Sequence, residues 1–217
     1  MRKFFALIAL MMAMPLAANA ENIDYTFVEG GAARHYPDLS PWSKPERRDG
    51  AYLRGSIALS ESTYAYGDIS RTSGDRVLFI ADSYYQPYDY KYTLGQVGLG
   101  AHHPLNDRTD ALVELAYVHL NEGFSTDVKN RPHLPARGSM KVNGARLNLG
   151  LREALTEHVE GWLKVGYLSI SSDFDTYRKY TGEVGVHAKI TPRWGVVAEA
   201  QFLHAITTYQ LGVRANF

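Results

Sequence analysis

Apolar and polar residues alternate along the last segment of the chain. In the closing stretch TTYQLGVRANF the apolar positions are every second residue: Tyr209, Leu211, Val213, Ala215 and Phe217. Small or polar residues lie between them. In a β-strand, side chains that alternate along the sequence point to opposite faces, which gives a repeat of two residues. The segment is therefore predicted to be a strand with one apolar face.

Ten segments of this kind follow one another, each close to the ~9–11 residues that a tilted strand needs to cross a bilayer. They are Asn22–Ala33, Gly50–Leu59, Thr63–Ser73, Tyr90–His102, Asp110–Leu120, Met140–Arg152, Val159–Ile170, Lys179–Ile190, Trp194–His204 and Thr207–Phe217. Every proline after the first twenty residues lies between these segments, as expected for a closed sheet that has no edge strand. The pattern predicts an all-β fold, a ten-stranded antiparallel transmembrane β-barrel.

The connections between the segments alternate in length. The long ones are Arg34–Asp49, Gly74–Asp89, Asn121–Ser139 and Ser171–Arg178. Outer-membrane barrels have short periplasmic turns and long extracellular loops. We therefore expect both termini in the periplasm and the long loops outside the cell.

The polar face of the segments carries charges of both signs. The same parity places on it Arg54, Glu114, Arg146, Arg152, Glu160, Lys164, Glu183, His187, Lys189, Glu199 and Arg214, with Glu29 and Asp68 added from two strands of less regular alternation. Six acids balance six bases, which favours ion pairs across the lumen over the ring of one sign that an ion-selective pore uses. Ten strands enclose little more than the eight-stranded barrels that side chains fill. We expect a filled lumen, surrounded by an apolar face in contact with lipid.

Composition supports this class and excludes others. The chain has 15 Tyr, 8 Phe, 3 Trp and 19 Gly but no apolar run long enough for a spanning helix after the N-terminal segment. It has no cysteine, which excludes a thiol nucleophile and a thiolate metal site. With 23 basic and 23 acidic residues there is no indication of a nucleic-acid partner.

The first twenty residues form a separate unit. Arg2 and Lys3 precede an apolar stretch, Phe4–Leu16, and the tripeptide Ala18–Ala20 fits a small-residue cleavage site. This arrangement predicts a secretory signal peptide over residues 1–20 and an outer-membrane β-barrel domain over residues 21–217.

Candidate chemistry is sparse. The sequence contains neither a G-x-S-x-G nucleophile elbow nor H-x-x-x-H metal spacing. His204 lacks the serine that lipid A deacylase barrels carry two positions on, because Ile206 stands there. His35 falls in a long loop, where we expect it to be solvated, and His187 falls on the lumen face among charged neighbours. We therefore predict no enzyme, no cofactor and no metal site.

Six segments resemble a family of small exported barrels of Gram-negative bacteria, once discussed as immune elicitors and quorum-sensing signals in plant pathogens. The segments are Tyr25–Gly31, Leu53–Leu59, Val97–Leu105, Val113–Leu120, Gly150–Tyr167 and Thr191–Phe202. The resemblance implies an outer-membrane β-barrel of unestablished molecular function and supplies no catalytic residues. The final alternating strand, with Tyr209 and Phe217, also resembles the signal that the barrel assembly machinery reads.

Three functions remain open at this point. The leading one is a structural or surface-interaction barrel in the outer membrane of a Gram-negative bacterium, in contact with membrane lipid and lipopolysaccharide and with an unidentified extracellular partner. The second is a narrow porin, and the third is an enzyme that modifies lipids of the outer leaflet.

Overall fold

The computed structural model describes residues 23–37, 47–81, 84–125, 137–171, 176–203 and 206–217, with only the backbone given for residues 37 and 75–88. Ten strands form within these ranges. They are β1 (Phe27–Pro37), β2 (Arg48–Ala58), β3 (Thr63–Ala81), β4 (Tyr84–Asn106), β5 (Thr109–Ser125), β6 (Arg137–Ala154), β7 (Val159–Ser171), β8 (Thr176–Lys189), β9 (Trp194–Leu203) and β10 (Ile206–Asn216). The predicted segmentation into ten strands is confirmed, although several boundaries differ.

The sheet closes on itself. Each strand pairs antiparallel with the next, and β1 pairs with β10 from Phe27 opposite Asn216 to Pro37 opposite Ile206. The predicted ten-stranded antiparallel barrel is therefore confirmed. The described part of the chain contains no helix that is long and apolar enough to cross a membrane.

One end of the barrel, which we call the turn end, is formed by four short turns over residues 59–62, 107–108, 155–158 and 190–193. Backbone hydrogen bonds of 2.7–2.9 Å join each turn to a strand next to its own hairpin, for example from Ala154 N to Arg108 O and from Lys189 N to His158 O. Phe217 lies at the same end, where its amide donates to Thr26 O at 3.1 Å. These bonds pair the backbone groups of this end with one another.

The opposite end, which we call the hairpin end, differs from the prediction of a loop over Gly74–Asp89. Strands β3 and β4 continue through this segment and pair with each other as far as Ala81 opposite Tyr84. Among the described residues their outer neighbours stop earlier, since β2 pairs with β3 as far as Ser73, and β5 pairs with β4 from Asp89. Residues Arg76–Ala81 and Tyr84–Tyr88 therefore form a two-stranded ribbon beyond the barrel. The sequences RVLFIA and YYQPY are rich in β-branched and aromatic residues, which favour strands over turns.

The prediction that prolines lie only between strands is wrong at three positions. Pro37 is in β1, and Pro87 and Pro104 are in β4. At each of them the described residues give the strand one neighbour instead of two. The pairing of β2 with β1 ends at His35, that of β5 with β4 begins at Asp89, and that of β3 with β4 ends at Ala101. A missing amide donor is tolerated on such an open side. Closure of the barrel excludes proline only from the doubly paired parts of its strands.

The two faces of the sheet have opposite character. On β7, Leu163 and Val165 are exposed on the outside, whereas Glu160 and Trp162 are buried inside, as the alternation predicts. The other strands follow the same rule, so that large apolar side chains cover the exterior and most charged ones fill the interior. This is the reverse of a water-soluble domain and the arrangement of a transmembrane barrel.

Candidate functional site: the charged lumen

The centre of the lumen is organised around Arg54. Strand β2 places this arginine between Glu29 on β1 and Asp68 on β3, in one row of the sheet. Its guanidinium binds Glu29 Oε1 at 3.0 Å and reaches across the lumen to Glu199 on β9, with two bonds of 2.6 and 2.8 Å. Gln210 accepts a further bond at 3.1 Å. One buried cation thus ties β1, β2, β9 and β10 together.

A second arginine completes this group. Arg214 Nη2 lies 2.6 Å from Glu29 Oε2, and its guanidinium stacks over the ring of Phe27 at 3.8 Å. The indole of Trp162 donates to Glu199 at 3.0 Å and to Glu183 at 3.1 Å. The carboxylates therefore have more than one donor each, which offsets the cost of removing them from water.

The facing wall holds a group centred on Lys164. Its ammonium lies 2.9 Å from Glu114 and 3.1 Å from Glu183. Glu114 also accepts from Tyr64 Oη at 2.8 Å, and Arg146 lies 3.7 Å from Glu183. The indole of Trp162 donates to Glu183 of this group and to Glu199 of the Arg54 group, so it connects the two.

A third group lies toward the turn end and is centred on Glu160. Arg152 binds it at 2.5 Å and Lys189 at 3.0 Å, and His187 Nδ1 lies 3.8 Å away. His187 is fully buried. The guanidinium of Arg152 also lies over the ring of Tyr25, with its carbon 4.9 Å from the ring centroid.

Next to the Glu160 group is a cluster of side chains that the sequence analysis did not predict. Tyr25 Oη donates to Asp110 Oδ2 at 2.7 Å, and His102 Nδ1 lies 3.2 Å from the same oxygen while its ring stacks on Tyr25 at 4.0 Å. The sequence offered one sign of this cluster: Asp110 is two and four residues before Leu112 and Glu114, so all three side chains point to the inside of the barrel. The sequence pattern predicts a strand that ends at His102, but β4 continues beyond it to Asn106.

The hairpin end of the lumen contradicts another expectation. His35, predicted to be solvated in a loop, lies in β1 with 2% of its surface exposed. Its Nδ1 is 2.8 Å from Thr208 Oγ1, and its ring packs against Tyr92 at 4.4 Å. Arg48 and Glu122, which bind each other at 3.1 Å, had likewise been assigned to loops. All these residues turn inward because β1, β2 and β5 extend further than their sequence pattern indicated.

The structure therefore places every residue proposed for the lumen inside the barrel, including Glu29 and Asp68. Tyr209 and Phe217 lie outside it and are exposed. Their role as an assembly signal stays a prediction. The cleavage of a signal peptide also stays a prediction, since residues 1–22 are outside the described residues.

Little space remains between these side chains. The cavity at the centre has a volume of about 50 Å³ and is lined by residues of all three groups, among them Arg54, Lys164 and Arg152. A water molecule has a share of ≈ 30 Å³ in the liquid. At this level the described side chains therefore leave room for one or two waters. Within the described ranges, no group of three or more His, Cys, Asp or Glu side chains is placed to hold a metal ion.

Comparisons with solved structures agree with this architecture. The chain is similar to the translocator domain of the autotransporter NalP from Neisseria meningitidis, with 10% identity, a TM-score of 0.57 and coverage of 100% of this chain and 94% of that one. It is also similar to the transport unit of the autotransporter AIDA-I from Escherichia coli, with 10% identity, a TM-score of 0.51 and coverage of 99% and 97%. The outer membrane protein OprG from Pseudomonas aeruginosa gives 13% identity, a TM-score of 0.50 and coverage of 92% and 99%. At such identities the likeness shows the fold alone.

The closed sheet, the apolar exterior and the charged interior define this protein as a transmembrane β-barrel. No protein-family model matches the chain, and no curated protein matches it. The finer resemblance to the elicitor family therefore remains a prediction.

Proposed function

We propose that this protein is an outer-membrane β-barrel of a Gram-negative bacterium that conducts no solutes, catalyses no reaction and acts through the surface at its hairpin end. The observation that carries the proposal is the filled lumen. The Arg54 group and the Lys164 group meet across it, the Glu160 group lies toward the turn end, and the central cavity is about 50 Å³. A diffusive pore would need these ion pairs to separate.

Separation of the pairs is costly. Removal of one partner of a buried ion pair typically costs ~3–5 kcal/mol, because the other charge remains buried and uncompensated. Several such pairs would have to open together for a solute to pass. The balanced charges thus support a structural interior more than the narrow-porin alternative.

The surface role is supported by the ribbon. Its two strands extend past the described ends of their neighbours, so that they present backbone away from the barrel wall. Connections that project from a rigid scaffold commonly carry binding functions. With the turn end in the periplasm, the ribbon would lie outside the cell, where it can contact a partner.

The chain offers a direct test because it contains no cysteine of its own. Single cysteines would be introduced by Gln86→Cys in the ribbon and by Glu157→Cys in a turn at the opposite end. A membrane-impermeant maleimide should label the first variant in intact cells and the second only after lysis. Labelling of Glu157→Cys alone in intact cells would reverse the orientation, and recovery of both variants as soluble periplasmic protein would overturn the proposal.

A further inference from the structure

The exterior changes character sharply near the hairpin end of strands β5 to β8. Leu115, Leu149 and Val165 belong to the apolar face. Further along the same outward faces the residues become polar. They are His119 on β5, Lys141 and Asn143 on β6, Ser169 and Ser171 on β7, and Arg178 on β8. We call these six residues the polar patch.

Strand register brings the patch together. His119 lies opposite Asn143, which lies opposite Ser171, and Ser169 lies opposite Arg178. Neighbouring strands are ≈ 4.7–4.9 Å apart, so the row of three residues on β5, β6 and β7 spans about 10 Å. The patch is thus continuous and faces outward.

Hydrogen bonds fix the middle of the patch. Asn143 Oδ1 lies 2.7 Å from Tyr117 Oη and 2.7 Å from His119 Nδ1. Both groups direct a donor at the same oxygen, which orients the Asn143 amide nitrogen away from them. In the part of the chain that the structure describes, this nitrogen has no hydrogen-bond partner, so it is a fixed donor at the surface.

Two exposed bases lie at the margins of the patch. Lys141 and Arg178 are exposed, and among the described residues neither has a carboxylate within 4.0 Å. Arg34 on the other side of the barrel differs, because Asp49 holds it at 2.6 Å. The turn end of β6 and β7 has the opposite sign, with Glu153 and Glu157 exposed there. The turn that joins β6 to β7 is therefore acidic, whereas the hairpin end of β6 and β8 carries the exposed bases Lys141 and Arg178.

We propose that the polar patch binds the phosphate of a lipid headgroup, with the acyl chains of that lipid on the apolar face below it. The occupant is a phosphomonoester on a glycolipid of the outer leaflet. Such a group carries ≈ −1.5 to −2 charge at pH 7, which suits a site with two exposed bases, and its oxygens accept from ammonium, guanidinium and amide donors. The inference rests on the proposed outer-membrane placement and adds to it a partner and a site.

The test compares two variants that each remove two positive charges. Lys141→Gln/Arg178→Gln alters the patch, and Arg108→Gln/Arg193→Gln makes the matched change at the turn end. Full-length protein in detergent, with its fold verified by heat-modifiable migration on gels, would be titrated with diphosphoryl lipid A and followed by native mass spectrometry. Lipid A without phosphate, phosphatidylglycerol and free inorganic phosphate would serve as further probes.

We expect the patch variant to bind diphosphoryl lipid A at least about tenfold more weakly than wild type, which corresponds to 1.4 kcal/mol. The turn-end variant should bind like wild type. Dephosphorylated lipid A and phosphatidylglycerol should bind wild type more weakly, and millimolar free phosphate should not compete. Equal affinities for the two variants, equal binding of phosphorylated and dephosphorylated lipid, or competition by free phosphate would each overturn the inference. Those outcomes would leave the cysteine-labelling pattern unchanged, so they are distinguishable from failure of the proposed function.

Discussion

Removal of the central arginine should destabilise the barrel strongly. Arg54→Met keeps much of the side-chain volume but deletes the guanidinium. Glu29 would retain Arg214 at 2.6 Å. Glu199 would lose both of its bonds to Arg54 and keep only the donors Trp162 and Gln201, at 3.0 and 2.7 Å. Glu199 is thus left buried without its cation, and Asp68 loses the arginine that lies 4.0 Å from it. The expected loss in free energy of unfolding is ~3–5 kcal/mol.

The matched control is Arg47→Met. Arg47 binds Asp49 at 2.8 Å, but both side chains are about half exposed, and exposed pairs contribute little to stability. Equilibrium urea unfolding of the refolded protein in lipid vesicles, followed by tryptophan fluorescence, would compare the two. The double variant Arg54→Met/Glu199→Gln should recover part of the loss, because it also removes the uncompensated charge. If Arg54→Met and Arg47→Met shift the urea midpoint equally little, the lumen carboxylates are solvated and the interior is an open channel.

Two further predictions concern packing and hydrogen bonding inside the lumen. Gly185→Ala should lower the free energy of unfolding by ~1–3 kcal/mol, since its new Cβ would lie 2.2 Å from the Trp162 ring. The control is Gly182→Ala on the same strand, whose Cβ would meet nothing closer than 3.7 Å. Urea midpoints that do not separate the two variants would contradict this prediction. Tyr25→Phe should lower the free energy of unfolding by ~1–3 kcal/mol, because the buried carboxylate of Asp110 loses a donor. Tyr66→Phe should be nearly neutral, since the Tyr66 hydroxyl has no hydrogen-bond partner among the described residues. The same unfolding assay measures both, and equal losses for the two tyrosines would refute the role given to the Tyr25 hydroxyl.

The face of each strand was predictable because its cause is local. Alternate residues of a strand point to opposite sides whatever their partners are, so Glu160 and Lys164 could be placed inside from β7 alone. Whether the apolar face contacts lipid or lies in a protein core could be judged only from the whole chain. Ten such segments carry charges on the opposite face, and a water-soluble protein would not bury that face. Residue type and spacing were therefore sufficient for the class of fold.

The partners across the lumen were not predictable. Arg54 and Glu199 are 145 positions apart in sequence, and their contact depends on closure of the sheet and on the register of every strand between them. Parity indicates only that both point inward. The same limit applies to Asp110, whose role depends on Tyr25, a residue just before the start of β1.

Strand ends were the other source of error. The segment before Tyr90 contains glycine, proline and three aspartates, so it was interpreted as a loop, yet β3 and β4 pair through it. Two strands can continue to pair after their other neighbours have ended. The amino-acid composition of a segment does not predict at which residue such pairing stops. The inward burial of His35 and Arg48 follows from the same extension of strands.

Single-channel recording on the refolded wild-type protein in a planar lipid bilayer tests the central claim most directly. Insertion would be established independently by heat-modifiable migration of the same sample. Because buried ion pairs and a cavity of about 50 Å³ occupy the lumen, the account predicts no conductance steps above those of a protein-free bilayer. Reproducible steps of uniform size, present in wild type and enlarged in Arg54→Met, would show a conducting lumen and contradict it.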